Sequence, residues 1–235
     1  MRINLSLITI SFLLLFVPFI RAQQEPSVED LFLKDFDLQM QNIERQVLKE
    51  QALEGDRDMK LSVLTSIKEM IENNQEVNDP AMLYIVESLT LEGTAVETKK
   101  SGAVVNYYPL VRRQATRLLG EIGSPNSVPT LLTALMRDSE SIVRAEAAYA
   151  LGAIGSNDQA VLDSLALSVR RIDPVTPDNG LATAILVAVE DIAKKNQGIY
   201  DPVIMTALVQ IATGNYYRQV REKAMSVLEG LRQYR

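Results

Sequence analysis

The chain has 235 residues, a formal net charge of −6 at pH 7 and 47% hydrophobic residues, a composition typical of a folded domain or a short array of repeats. Because it contains no His, Cys or Trp, imidazole and thiolate metal sites, Cys or His nucleophiles and disulfides are excluded. The acidic charge also disfavours binding to nucleic acid, which depends on a basic surface.

Residues 1–22 have the pattern of a signal peptide. A basic start precedes an apolar run from Leu5 to Ile20, and Ala22 supplies the small residue before the cleavage point. The run contains a proline and is shorter than the roughly 20 apolar residues of a membrane-spanning helix. We therefore expect residues 23–235 to be exported, with a bacterial periplasm favoured, while an uncleaved membrane anchor is the alternative.

Helical periodicity dominates the rest of the chain. Apolar residues recur on one helix face, as at Val143, Ala147 and Ala150. Asp79 and Asp201, each followed by a proline, are typical of helix N-termini. We therefore predict an all-α fold, an α-solenoid of about five antiparallel helix pairs. The predicted pairs are 28–73, 79–123, 126–155, 157–195 and 200–233.

An insertion at residues 92–108 lengthens the second pair. Its β-forming residues predict a small hairpin with strands at Thr94–Thr98 and Ala103–Tyr108. Insertions in solenoids often lie on the binding face, and basic residues beside aromatic ones would suit a carboxylate-bearing or aromatic ligand. A mobile loop without a ligand is the alternative. The candidate binding residues in this insertion are Lys99, Lys100, Tyr107 and Tyr108.

The chain contains an internal repeat. Val111–Gly123 and Val143–Gly155 share Val, Arg, Ala, Leu, Gly, Ile and Gly at identical places. Weaker copies begin at Met59, Leu181 and Val220. Repeats of this length indicate a solenoid in which each helix pair packs on the next.

The repeat carries a family resemblance. The motif VP-x-LL-x-AL-x-x-D-x-x-x-x-VR-x-x-A-x-x-ALG-x-IG, which runs from Val128 to Gly155, resembles the HEAT-like repeat of the kind also found in phycobilin lyases. The resemblance implies that first helices lie on a convex side and second helices line a concave side. It also implies bridges between neighbouring repeats, here Asp138 with Arg144, with Arg112 and Arg221 as further bridging arginines.

The second and sixth residues after each repeat start are then predicted to face the concave side. In the central copies these residues are Arg113, Arg117, Ala145 and Tyr149. Arg117 and Tyr149 hold equivalent positions, so we expect them to be neighbours in a basic and aromatic patch of the kind enriched at interfaces. The alternative is that Arg117 only pairs with Glu121 one helical turn away.

Three classes of function remain open. The first is a non-catalytic exported scaffold that binds another envelope or exported protein, the second a lyase-like or other enzyme, and the third a structural wall- or surface-binding protein. The first is favoured because solenoids present extended surfaces without a reacting group. We accordingly expect no enzymatic activity, no catalytic or metal-binding residues, no cofactor, no nucleic-acid partner and no stable membrane insertion after cleavage.

Cleavage of the signal peptide is directly measurable. The intact mass of the exported protein should correspond to a chain that starts at Gln23, because Ala22 completes the cleavage pattern. A membrane-bound protein whose mass still includes residues 1–22 would contradict this prediction.

Overall fold

The computed structural model describes residues 28–73, 75 and 77–234. The predicted signal peptide lies outside the described residues. Within them the fold is all-α, which confirms the predicted α-solenoid. The helices are α1 (Val28–Glu54), α2 (Arg57–Glu72), α3 (Pro80–Thr90), α4 (Pro109–Ile122), α5 (Val128–Arg137), α6 (Ser141–Ile154), α7 (Gln159–Arg170), α8 (Asn179–Lys195), α9 (Pro202–Thr213) and α10 (Arg218–Arg232).

Two layers of helices build the compact unit of residues 42–235. The second helices α2, α4, α6, α8 and α10 pack side by side in chain order, and so do the first helices α3, α5, α7 and α9. Apolar residues from both layers meet in a common core, as at Leu119, Leu135 and Leu151, which are almost fully buried. Each such side chain contributes about 1.5–3 kcal/mol by leaving water. Among the described helices, none combines the length and apolarity needed to cross a membrane.

Local signals set the helix ends. The Asp79 carboxylate accepts hydrogen bonds from the first-turn amides of α3, at 2.9 and 3.1 Å. Asp201 does the same for α9, at 2.8 and 2.7 Å. Gly123 and Gly155 end α4 and α6 with φ of 71° and 80°, a left-handed conformation that favours glycine. The predicted helix N-termini at Asp79 and Asp201 are thus confirmed.

Two glycines allow second helices to approach closely. A Cβ on Gly120 of α4 would lie 2.8 Å from the Cα of Ala150 in α6, and a Cβ on Gly152 of α6 would lie 2.6 Å from the Cα of Ala188 in α8. Both distances are too short for real atoms, so only glycine permits these contacts. The equivalent residue of α2 is Lys68, so α2 lacks the glycine that permits such an approach.

The insertion forms a short hairpin. Strand β1 (Lys99–Lys100) pairs antiparallel with β2 (Ala103–Val104). The turn between them has positive φ at Ser101 and Gly102, 53° and 83°, as a tight hairpin turn requires.

The predicted first strand at Thr94–Thr98 is wrong. The Leu91 carbonyl accepts hydrogen bonds from the amides of residues 94, 95 and 96, which curls this segment into a turn. The Asn106 side chain then accepts from the Thr98 amide at 2.8 Å and donates to the Val96 carbonyl at 2.9 Å. These bonds satisfy backbone groups that a longer strand pair would have used.

Two glycine-to-alanine substitutions should have opposite effects on stability. Gly152→Ala should lower the free energy of unfolding by about 1–3 kcal/mol, because the new Cβ forces α6 away from α8. Gly230→Ala, in α10, should raise it by up to about 1 kcal/mol, because the new Cβ meets nothing and alanine favours the helix. Denaturant unfolding measures both, and effects of the same sign would contradict the packing described.

Candidate functional site

A buried ion pair joins the second and third repeats. The Arg112 Nε of α4 donates to Asp138 Oδ2 at 2.6 Å, and its Nη2 donates to Oδ1 at 3.1 Å. Both side chains are almost completely inaccessible to solvent, at 0% and 1% exposure. This bidentate, charge-assisted geometry is the strongest form of Arg–carboxylate recognition.

Groups of the insertion complete the environment of Arg112. Its Nη1 donates to the Glu92 carbonyl at 3.2 Å, and its guanidinium lies 4.7 Å from the centre of the Tyr107 ring. Burial lowers the pKa of the Arg112 guanidinium, but the hydrogen bonds and charges of Asp138 and Tyr107 outweigh burial and raise the pKa above its ordinary value. Arg112 therefore stays charged.

The predicted pairing of Asp138 with Arg144 is wrong, because Asp138 pairs with Arg112. Asp138 directly follows α5, where its carboxylate faces back to Arg112 in the preceding repeat. Its Oδ1 also accepts the Glu140 amide at 2.9 Å, which fixes the turn into α6. Arg144 and Arg221 take part in no ion pair within the described residues.

A second buried ion pair precedes the first along the chain. Lys60 Nζ lies 2.8 Å from Glu92 Oε1 and donates to the Ala52 carbonyl at 2.6 Å. This pair was not predicted from the sequence, although the repeat alignment indicates it. Lys60 occupies the same repeat position as Arg112, and Glu92 follows the end of α3 much as Asp138 follows α5.

Tyr107 links the insertion to the third repeat. Its hydroxyl donates to Glu140 Oε1 at 2.7 Å and lies 2.9 Å from Ser139 Oγ. Tyr108 packs against the core. The two aromatic candidate binding residues of the insertion are thus held by contacts with the repeats.

The hairpin lysines lie apart from these aromatic contacts. Lys99 is exposed and forms a 2.8 Å ion pair with Glu97, whose hydrogen bond and charge raise the pKa of Lys99. Lys100 is also exposed.

The predicted groove arginines of α4 both form ion pairs. Arg113 Nε lies 3.0 Å from Glu146 Oε1, a contact between neighbouring second helices. Arg117 Nε lies 3.0 Å from Glu121 Oε1, so the alternative pairing within α4 does form. Burial and the Glu146 charge raise the pKa of Tyr149, which is 38% exposed.

Arg117 and Tyr149 were expected to be neighbours, but the described residues show no specific interaction between them. No hydrogen bond or cation–π contact joins these two residues in the described part of the chain. Ala145, which was also expected to face the groove, is buried. In the described part, Arg113 and Tyr149 instead share the influence of Glu146.

A cleft lies between α2 and α4, at the position where Lys68 replaces the close-packing glycine. Its volume is about 290 Å³. The buried residues Leu64 and Leu118 contribute its apolar part, and the exposed Lys68 and Arg117 contribute positive charge. The remaining lining residues are Thr65, Gln114 and Glu121. The cleft can hold an apolar group that bears a carboxylate.

Metal binding has no visible site in this part of the chain. Among the described residues, no group of three or more potential ligand side chains is arranged to hold a metal ion.

Comparison with known proteins supports HEAT-like repeats in the central part of the chain and an α-solenoid fold. Residues 103–173 match the family model of HEAT repeats, which confirms the resemblance drawn from Val128 to Gly155. A similar solved structure is the complex of CpcE and CpcF of phycocyanin lyase from Nostoc sp. PCC7120, with a TM-score of 0.54 and 18% sequence identity. The match covers 81% of this chain and 66% of that chain, and at this identity it shows the fold alone. A search of curated proteins found no match.

Adjacent arginines in α4 should differ sharply in their importance for stability. Arg112→Ala should lower the free energy of unfolding by about 3–5 kcal/mol, because it leaves Asp138 buried without its counter-ion. Arg113→Ala removes an exposed pair and should cost less than about 1 kcal/mol. Denaturant unfolding of both variants tests the contrast, and equal losses would show that Asp138 does not depend on Arg112.

Proposed function

We propose that the protein is a non-catalytic, exported scaffold that binds another exported or envelope protein through its second-helix face. The observation that carries the proposal is the cleft between α2 and α4, where the second helices separate. Arg117, a binding candidate from the sequence, lines this cleft. A HEAT-like solenoid supplies such a surface without needing a reacting group.

The chemistry of the cleft favours an acidic segment on the partner. Lys68 and Arg117 supply positive charge, and Leu64 and Leu118 supply apolar surface. Within the described part of the chain, both cations pair only with carboxylates on their own helices, in exposed contacts that contribute little to stability. A partner carboxylate can therefore replace those contacts at small cost, while its apolar neighbours gain burial.

Composition supports a non-catalytic role, and the N-terminal pattern supports export. The sequence has no His and no Cys, so it lacks the commonest nucleophiles and general bases. The apolar run before Ala22 supports export. The name of the similar lyase structure describes that protein, and the identity of 18% transfers no activity to this chain.

Site-specific photo-crosslinking in the producing cell tests which face is used. A crosslinking residue at Gln114 lies in the cleft, and one at Val209 lies on exposed α9 in the first-helix layer. We expect one protein to be crosslinked from Gln114 and absent from the Val209 sample. The same protein from both positions, or none from Gln114, would contradict use of the second-helix face.

Once the partner is purified, paired substitutions measure the contribution of the surface. The double variant Arg117→Ala, Tyr149→Ala should weaken binding by more than about 1 kcal/mol with the fold intact, as hot-spot residues do. The matched control is Arg218→Ala, Tyr217→Ala, because Arg218 forms the same kind of pair with Glu222 and Tyr217 is exposed. Equal affinity for the two double variants would refute a binding role for Arg117 and Tyr149.

A further inference from the structure

The series of buried ion pairs breaks at the third repeat. Lys60 and Arg112 each pair with a carboxylate that follows the first helix of the next repeat. Arg144 occupies the same repeat position, but the residues that follow α7 are Arg171 and Ile172. The next acid, Asp173, is exposed, and its carboxylate accepts hydrogen bonds from amides in its own turn. Among the described residues, no carboxylate therefore pairs with Arg144 at the equivalent position.

Arg144 is left with an unsatisfied buried group. Its Nε is inaccessible to solvent and has no hydrogen-bond partner among the residues that the structure describes. A buried donor without a partner costs about 1–3 kcal/mol, and more when it belongs to a charged group, so such groups in native proteins call for a ligand or a water molecule.

Arg144 lines a small cavity whose charge is entirely positive. The lining residues are Leu135, Met136, Arg144, Ser168, Arg171 and Leu181. Of these, Arg144 and Arg171 are cationic and none is acidic. The Arg171 guanidinium donates one long hydrogen bond, 3.4 Å, to the Met136 carbonyl, and the Ser168 hydroxyl donates to the Ser164 carbonyl at 2.8 Å. Two guanidinium groups beside one cavity repel each other unless an anion lies between them.

The size of the cavity limits the anion. A volume of about 30 Å³ accommodates roughly two water-sized spheres. It therefore fits a chloride ion or the two oxygens of a carboxylate group, and it excludes the body of a nucleotide or a sugar phosphate.

We propose that this cavity binds one small monovalent anion, chloride or a carboxylate group, which replaces the acidic residue missing from the third repeat. The anion lies between Arg144 and Arg171 and satisfies the buried Nε. This site is separate from the cleft between α2 and α4 and does not depend on the identity of a protein partner.

Thermal unfolding of the purified protein tests the site. Adding 100 mM chloride to a buffer whose only anion is a bulky morpholine sulfonate should raise the melting temperature by about 2–4 °C, since a ligand of the native state stabilises it. Arg171→Asp places a carboxylate at the same cavity and should abolish the response. Arg170→Asp makes the same charge change at the preceding, exposed residue and should retain it. Equal responses in all three proteins would overturn the proposal.

Two further measurements keep the proposal testable if a variant fails to fold. Acetate in place of chloride shows whether a carboxylate is accepted, and a response to either ion supports the site. In crystals of the unaltered protein grown with bromide, an anomalous peak should lie between Arg144 and Arg171. The absence of this peak would refute binding of a halide, and a melting temperature that neither anion raises would refute the site.

Discussion

The central repeats depend on the buried contact between Arg112 and Asp138. Removing two charges from water is costly, and the cost is offset only when the pair is close and its remaining donors are satisfied. Both conditions are met, because the guanidinium also donates to the Glu92 carbonyl and lies against the Tyr107 ring. The pair therefore orients α4 against the turn that leads into α6. Through its contacts with Glu92 and Tyr107, Arg112 also holds the insertion against the second and third repeats.

One repeat position differs between the closely packed second helices and the pair that borders the cleft. Glycine at this position in α4 and α6 brings each helix close to the alanine of the next, at Ala150 and Ala188. Lys68 at the same position in α2 faces α4 near Leu118, and a cleft remains between the helices. The proposed partner binding rests on this cleft, whose lining combines charge with apolar area.

The way neighbouring repeats are connected changes along the chain. Buried ion pairs at Lys60 and Arg112 connect the first repeats, whereas Arg144 has no carboxylate in its place. Close contact at Gly152 and a hydrogen bond from Ser141 to Asp178 connect α6 and α8 instead. The cavity beside Arg144 lies at this change, and the proposed anion would supply the charge that the chain itself lacks there.

Features that depend on residues close together in the chain were predictable from the sequence. Helical periodicity, the caps at Asp79 and Asp201, and the repeat at Val143–Gly155 were predictable because each is encoded within a turn or a helix. The partner of Asp138 was not, since Arg112 lies 26 residues away while Arg144 is nearer in the chain. Which arginine reaches a carboxylate, and where two helices separate, depends on how whole repeats stack. The choice of ion-pair partner and the position of the cleft were visible only in the three-dimensional structure, because stacking is fixed by packing between residues that are distant in the sequence.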